Sequence, residues 1–200
     1  SKRRKTKVVK VGNVKVGGSN PIVIQGMTKI PTQKVSSVVT QIKKMQESGC
    51  ELVRLAVKTE EQAIALSQIK KKVKIPLIAD IHFDYRLALL AIKNGVDKIR
   101  INPGNITDKK ALDETVKALK KAKVPLRLGF NSGSLPFKYN SKNLVSKMAA
   151  YCLKYIRRFE KKSFYDIIIS LKTSDVLSTI GVNEIVAKKT DYPLHLGITA

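Results

Sequence analysis

The sequence predicts a parallel β/α barrel of the TIM type, with seven of the eight strands present and a small β-hairpin ahead of the first. Three observations predict it. Seven short apolar runs rich in β-branched residues recur along the 200-residue chain, most of them introduced by Gly or Pro. Amphipathic helical patterns lie between them, so the order is strand, helix, strand throughout. The runs are nearly unbroken in apolar character, which marks strands covered on both faces and hence a parallel sheet. Seven such units also fit an open doubly wound sheet, but no Gly-x-Gly-x-x-Gly follows the first run, which argues against the dinucleotide-binding form of that fold.

Residues 8–11 and 14–16 flank Gly12-Asn13 and read as the hairpin, placed to plug the N-terminal end of the barrel. The strands are expected at 21–27, 51–57, 76–83, 98–102, 125–131, 165–172 and 193–199. Val35, Val38, Val39, Ile42 and Met45 form one core-facing helical stripe, and Leu144, Met148, Tyr151, Cys152, Tyr155 and Phe159 form another. Thr59-Glu-Glu-Gln62 is a capping box, and Gly49 and Gly95 stand where a left-handed residue closes a helix.

A chain of this length with 43% apolar residues buries roughly two thirds of its unfolded surface as one domain, spanning residues 1–200 with a basic tail and hairpin over 1–20. No apolar run approaches the ~20 residues of a membrane span, and the basic start has no apolar segment behind it. The chain reads as soluble and cytoplasmic, and its abrupt stop at Thr199 and Ala200 reads as a fragment. Its net charge of +24 suggests nucleic acid, but the 31 lysines outnumber 8 arginines, are spread over nearly every helix, and interleave with no aromatic patch. A solvated lysine-rich surface is the better reading, with no specific nucleic-acid partner. Cys50 and Cys152 are far apart, lack Cys-x-x-Cys spacing, and read as buried small hydrophobes.

In a β/α barrel the active site lies at the C-terminal ends of the strands, so polar residues late in apolar runs are the informative ones. Arg54, Arg100, Arg127 and Lys172 each interrupt or end such a run. Buried unpaired charges cost several kcal/mol, and Asp80 is the sole acid set late in a strand. One carboxylate does not neutralise four cations, so a polyanionic ligand is expected, most simply one with two phosphates gripped by guanidinium forks. Asp80 and His82, two apart, share a strand face and point at the ligand as hydrogen-bonding or proton-transferring groups. Adding His195 gives three possible metal ligands, but not at the usual spacing, and no metal is assigned. Arg100 and Asn102 also share a face, and Asn131-Ser-Gly-Ser134 offers donors suited to phosphate.

Several stretches in this order, Gln25-Gly-Met-Thr28, Val53-Arg-Leu-Ala-Val57, Ala79-Asp-Ile-His-Phe83, Arg100-Ile-Asn-Pro-Gly-Asn-Ile106, Asn131-Ser-Gly-Ser-Leu135, Ser170-Leu-Lys172 and Leu194-His-Leu-Gly-Ile-Thr199, resemble the 4-hydroxy-3-methylbut-2-en-1-yl diphosphate synthases of the non-mevalonate isoprenoid route. The resemblance implies a barrel like that of dihydropteroate synthase, which binds a cyclic diphosphate of methylerythritol. It also implies a C-terminal domain, absent from this chain, that holds a 4Fe-4S cluster on three Cys and one Glu. Flavodoxin or ferredoxin supplies two electrons for reductive ring opening, and a homodimer is expected. Carried over, Arg54, Arg100, Arg127 and Lys172 contact the diphosphate, Asn102 and Asn131 add hydrogen bonds, Asp80 and His82 are the catalytic pair, and His195 and Thr199 join the substrate contacts.

The chain departs from the family at Gly26, where Ser is usual, at Lys29, where Asn or Asp is usual, and at Ala200, where a Glu suspected of acid catalysis stands. Two distant cysteines do not bind a 4Fe-4S cluster, so this chain alone is expected to bind substrate without turning it over. Two alternatives stay open: an independent barrel enzyme, either a Schiff-base aldolase through Lys172 or a dihydropteroate-synthase-like transferase, and a basic polyanion-binding module.

Overall fold

The computed structural model describes residues 3–82, 84–103, 108–140 and 142–197. The chain opens with the antiparallel hairpin of β1 (Val8–Val11) and β2 (Val14–Gly17). Six parallel strands follow in sequence order around one curled sheet: β3 (Gln25–Met27), β4 (Leu52–Val57), β5 (Leu77–Ile81), β6 (Lys98–Ile101), β7 (Leu126–Asn131) and β8 (Ile167–Lys172). Helices α1 (Val35–Glu47), α2 (Glu60–Lys70), α3 (Tyr85–Lys93), α4 (Lys109–Ala122), α5 (Leu144–Glu160) and α6 (Val176–Lys189) fill the connections.

Each helix starts or stops where local chemistry dictates. The Thr59 hydroxyl accepts the Gln62 amide at 3.3 Å, and the Gln62 side chain reaches back to the Lys58 amide at 2.7 Å. Asp84, Asp108 and Asp175 cap α3, α4 and α6 in the same way. Gly49 and Gly95 adopt the left-handed φ values of +89° and +82° that end α1 and α3.

Two apolar clusters hold the fold. The larger lies between the helices and the outward strand faces, where Val38 and Ile42 of α1 and Met148, Cys152 and Phe159 of α5 are buried. The smaller sits inside the sheet at its N-terminal end. There Val9 and Val11 of the hairpin pack on Leu52, Ile78 and Ile168, the first inward residues of β4, β5 and β8. The hairpin alternates Val8 and Lys10 outward with Val9 and Val11 inward, so it closes the barrel floor.

Two expected strands are much shorter than their apolar runs. The first begins at Gln25, because Pro21 has no amide to donate and Ile22 is 83% exposed with no strand beside it among the described residues. The expected seventh, over 193–199, is reduced to a single parallel bridge between Ile169 and Leu194. Ile169 donates to the Pro193 carbonyl at 3.0 Å and accepts from the His195 amide at 2.7 Å, after which Leu196 is 69% exposed. Residues 198–200 lie outside the described residues. Among the described residues, six strands and this bridge therefore make the curled part of a barrel, open between β3 and Leu194.

Candidate functional site

The inward residues of the middle strands carry the charge. Register sets Asp80, Arg100 and Arg127 side by side across β5, β6 and β7. Placing two arginines at directly paired positions is unfavourable unless an anion lies between or above them. Asp80 is completely buried and accepts from Arg54 Nη2, from Arg100 Nη1 at 3.0 Å and from His82 Nε2 at 3.0 Å. Burial pushes the Asp80 carboxyl up, but the Arg100 and Arg54 charges outweigh it and hold it below the usual carboxylate range. An ionised carboxylate only accepts, so the His82 ring donates to it through Nε2.

Arg127, 2% exposed, donates to the Ser170 hydroxyl at 2.9 Å. Its Nε and Nη1, together with Nε of Arg54 and of Arg100, are buried donors without a hydrogen-bond partner among the described residues. Each such donor costs about 1–3 kcal/mol if left without a partner. Burial, then the Arg54 and Arg100 charges, lower Arg127, although a guanidinium keeps its proton at neutral pH. Arg100 lies flat over β7 because residue 129 is glycine: a Cβ there would stand 2.6 Å from Arg100 Nε.

Lys172 ends β8 above this layer. Burial, then Arg127, Arg54 and Arg100, push its amine down to about 8. His195 enters from the segment after α6, and burial, followed by the charge of Arg127, pushes it down to about 2, so its ring is neutral. The loops after β6 and β7 are tied together, since Asn102 donates to the Ser134 hydroxyl at 2.7 Å and that hydroxyl bonds the Asn131 carbonyl at 3.1 Å. Of the residues expected at the site, Arg54, His82 and Arg100 converge on the Asp80 carboxylate, and Arg127 and Lys172 stand near enough to feel the Arg54 and Arg100 charges. Asn102 and Asn131 stand at its rim, while His195 lies to one side. Thr199 falls outside the described residues, as do Phe83 and residues 104–107.

His195 lines a cavity of about 570 Å³ that opens along the seam between β3 and Leu194 and also reaches Gln25, Lys98 and Lys172. Lys98 is a site residue the sequence reading passed over. It is 1% exposed, points inward two residues before Arg100, and donates to Gln25 Oε1 at 3.2 Å. Its parity with Arg100 and Asn102 was the available signal. Another concavity of about 600 Å³ between α5 and α6 is ringed by Lys154, Arg157, Lys161 and Lys189, all exposed, and no buried polar side chain enters it.

Gly26 does not reach the site. It faces α1, where a Cβ would collide with Met45 Cε at 2.3 Å and approach Cys50 Sγ at 3.2 Å. Lys29 donates its amide to Gln41 on the exposed side. Among the described residues no three His, Cys, Asp or Glu side chains are grouped to hold a metal ion. Cys152 is buried in the α5 core with its thiol pushed up by burial, and Cys50 bonds the Leu52 carbonyl at 3.0 Å. These cysteines do not fit a 4Fe-4S cluster.

Residues 6–200 match the family described as the GcpE TIM-barrel domain. The chain belongs to that family. As a GcpE barrel it is 47% identical to the 4-hydroxy-3-methylbut-2-en-1-yl diphosphate synthase (flavodoxin) of Caldanaerobacter subterraneus, over 98% of this chain and 56% of that protein. It is 50% identical to the synthase of the same name from Anoxybacillus flavithermus, over 98% of this chain and 55% of that one. The chain thus spans about half the length of the curated relatives it matches. Among solved structures, the GcpE barrel is similar to Clostridium difficile type I 3-dehydroquinate dehydratase, with a TM-score of 0.69 at 15% identity, covering 98% of this chain and 82% of that one. It is also similar to Xanthomonas albilineans dihydropteroate synthase, with a TM-score of 0.64 at 12% identity, covering 94% and 91%. At these identities the likeness concerns the fold alone. No helix among the described residues is long and apolar enough to cross a membrane.

Proposed function

We propose that this barrel binds 2-C-methyl-D-erythritol 2,4-cyclodiphosphate as the substrate domain of a cytoplasmic, homodimeric 4-hydroxy-3-methylbut-2-en-1-yl diphosphate synthase. The relatives' names support the reading, and one observation supports it most: Arg54 and Arg100 share the Asp80 carboxylate, Arg127 and Lys172 add positive charge beside them, and four buried guanidinium nitrogens have no partner among the described residues. Two linked phosphates present charge and acceptor oxygens in the amount those donors lack. Arg127 and Arg100, fixed by Ser170 and Asp80, orient the diphosphate, and Lys172 closes over it. Asp80 and His82 hold the hydroxyl-bearing carbons, with His82 the group placed to move a proton.

In the complete protein an iron–sulfur cluster on residues outside this chain would supply the two electrons, drawn from flavodoxin or ferredoxin. This chain alone binds the cyclic diphosphate without turning it over. Calorimetric titration tests the first part: the cyclodiphosphate binds, unphosphorylated methylerythritol binds at least a hundredfold more weakly, and Arg127→Met removes most of the difference. Equal affinity for the two compounds overturns the reading. Product formed by this chain with reduced flavodoxin overturns the second part.

The lowered Lys172 amine favours a second reading, a Schiff-base enzyme. Borohydride in the presence of a phosphorylated ketone or aldehyde would then leave a covalent adduct on Lys172, and no adduct forms if Lys172 only binds phosphate.

A further inference from the structure

We infer that Lys98 is an uncharged amine in the ligand-free barrel and takes up a proton when an anion binds in the layer above it, coupling anion binding to pH. This rests on the anion-site reading and adds a positioning residue beneath it. In the register of the sheet Lys98 pairs with Ile78, so it occupies the apolar floor layer that Leu52, Ile78 and Ile168 form on neighbouring strands.

Among the described residues, no element packed around it supplies a counter-charge. From β3 comes only the neutral Gln25 amide, at 3.2 Å. From β4 and β7 come Arg54 and Arg127, both of which oppose a charge on Lys98. From β5 comes Ile78, and the carboxylate one layer higher, Asp80, is already engaged by Arg54 and Arg100. From β8 come Ile168 and then Lys172, and from the segment after α6 the neutral His195, while Arg3 and Arg4 border the same cavity. Burial, followed by the charges of Arg127 and Arg54, pushes the amine well below its ordinary value.

An anion held by Arg54, Arg100 and Arg127 reverses the balance. It neutralises the two guanidinium groups that disfavour a charge on Lys98 and adds attraction from above, so one proton moves from solvent buffer to Nζ. Lys98 then holds the anion electrostatically without touching it.

The test is calorimetry of the intact protein with inorganic pyrophosphate at pH 7.5, in two buffers of different ionisation enthalpy. Wild type takes up more protons per pyrophosphate than Lys98→Met, by on the order of half to one proton, and its affinity falls up to about tenfold more steeply per pH unit. Pyrophosphate's own protonation is common to both and cancels in the difference. Lys98→Gln serves as the second variant, and ¹⁵N resonances of the lysine side chains in wild type report the change from amine to ammonium directly. Equal proton uptake in wild type and both Lys98 variants overturns this inference and leaves the anion site standing. No binding of pyrophosphate to wild type overturns both.

Discussion

The floor and the mouth of this barrel are made by the same strands, on the same face, one step of two residues apart. Strand β4 turns Leu52 and then Arg54 inward, β5 turns Ile78 and then Asp80, and β8 turns Ile168, then Ser170 and Lys172. At the floor these side chains meet Val9 and Val11 of the hairpin in a dry cluster. One layer up the same alternation produces guanidinium groups sharing one carboxylate. The floor lowers the free energy of the fold by removing apolar surface from water, about 1.5–3 kcal/mol for each fully buried aliphatic side chain. The mouth raises it, through desolvated charges and unmade hydrogen bonds, and a ligand recovers that cost. Stability and binding are therefore separable by mutation.

The largest expected effect breaks the mouth without a ligand. Asp80→Asn leaves Arg54 and Arg100 without their counter-charge and lowers unfolding free energy by roughly 3–5 kcal/mol in urea titration. Added pyrophosphate should restore more stability to this variant than to wild type. The same residue sets an acid limit. Its folded pKa is depressed, so its contribution is full above the ordinary carboxylate value of about 3.9 and is lost as pH falls through the lower, folded value. Asp80→Asn should show no such loss over that range.

At the floor, Leu52→Ala should cost about 2–5 kcal/mol in the same titration. Its affinity for pyrophosphate, measured where the variant is folded, should match wild type. A matching loss of affinity would show that the two regions are not independent.

Arg127→Met should do the opposite. Replacing a buried, under-bonded guanidinium by an apolar side chain leaves stability unchanged or raises it by roughly 1–4 kcal/mol. Losing charged hydrogen bonds worth about 1.5–3 kcal/mol weakens anion affinity by roughly 10- to 150-fold. The smallest effect lies on the outside: Arg86→Gln removes an exposed contact to Asp84 and should change stability by at most about 1 kcal/mol and affinity not at all.

The sequence made some of this contrast legible. Arg54, Arg100, Arg127 and Lys172 stand out because a charge inside an apolar strand has no cheap place to go. The hairpin was legible from Gly12-Asn13 between two valine-rich runs, but not its buried side, since Val8 is exposed and Val9 buried. Lys98 was passed over because a lysine at the start of a strand reads as solvated, and only its pairing with Ile78 places it in the floor. The tie between Asn102 and Ser134 joins residues 32 apart in the chain, and no local pattern announces it. The run at 193–199 overstated a strand because apolar character reports burial but not the presence of a pairing neighbour on each side.

The most direct test of the whole account is a crystal structure of the protein with the cyclic diphosphate bound. Phosphate oxygens within hydrogen-bond distance of Nε and Nη1 of Arg127 and of Nε of Arg100 are the predicted result. Clear density for the ligand away from these nitrogens, with the guanidinium groups unchanged, would contradict it.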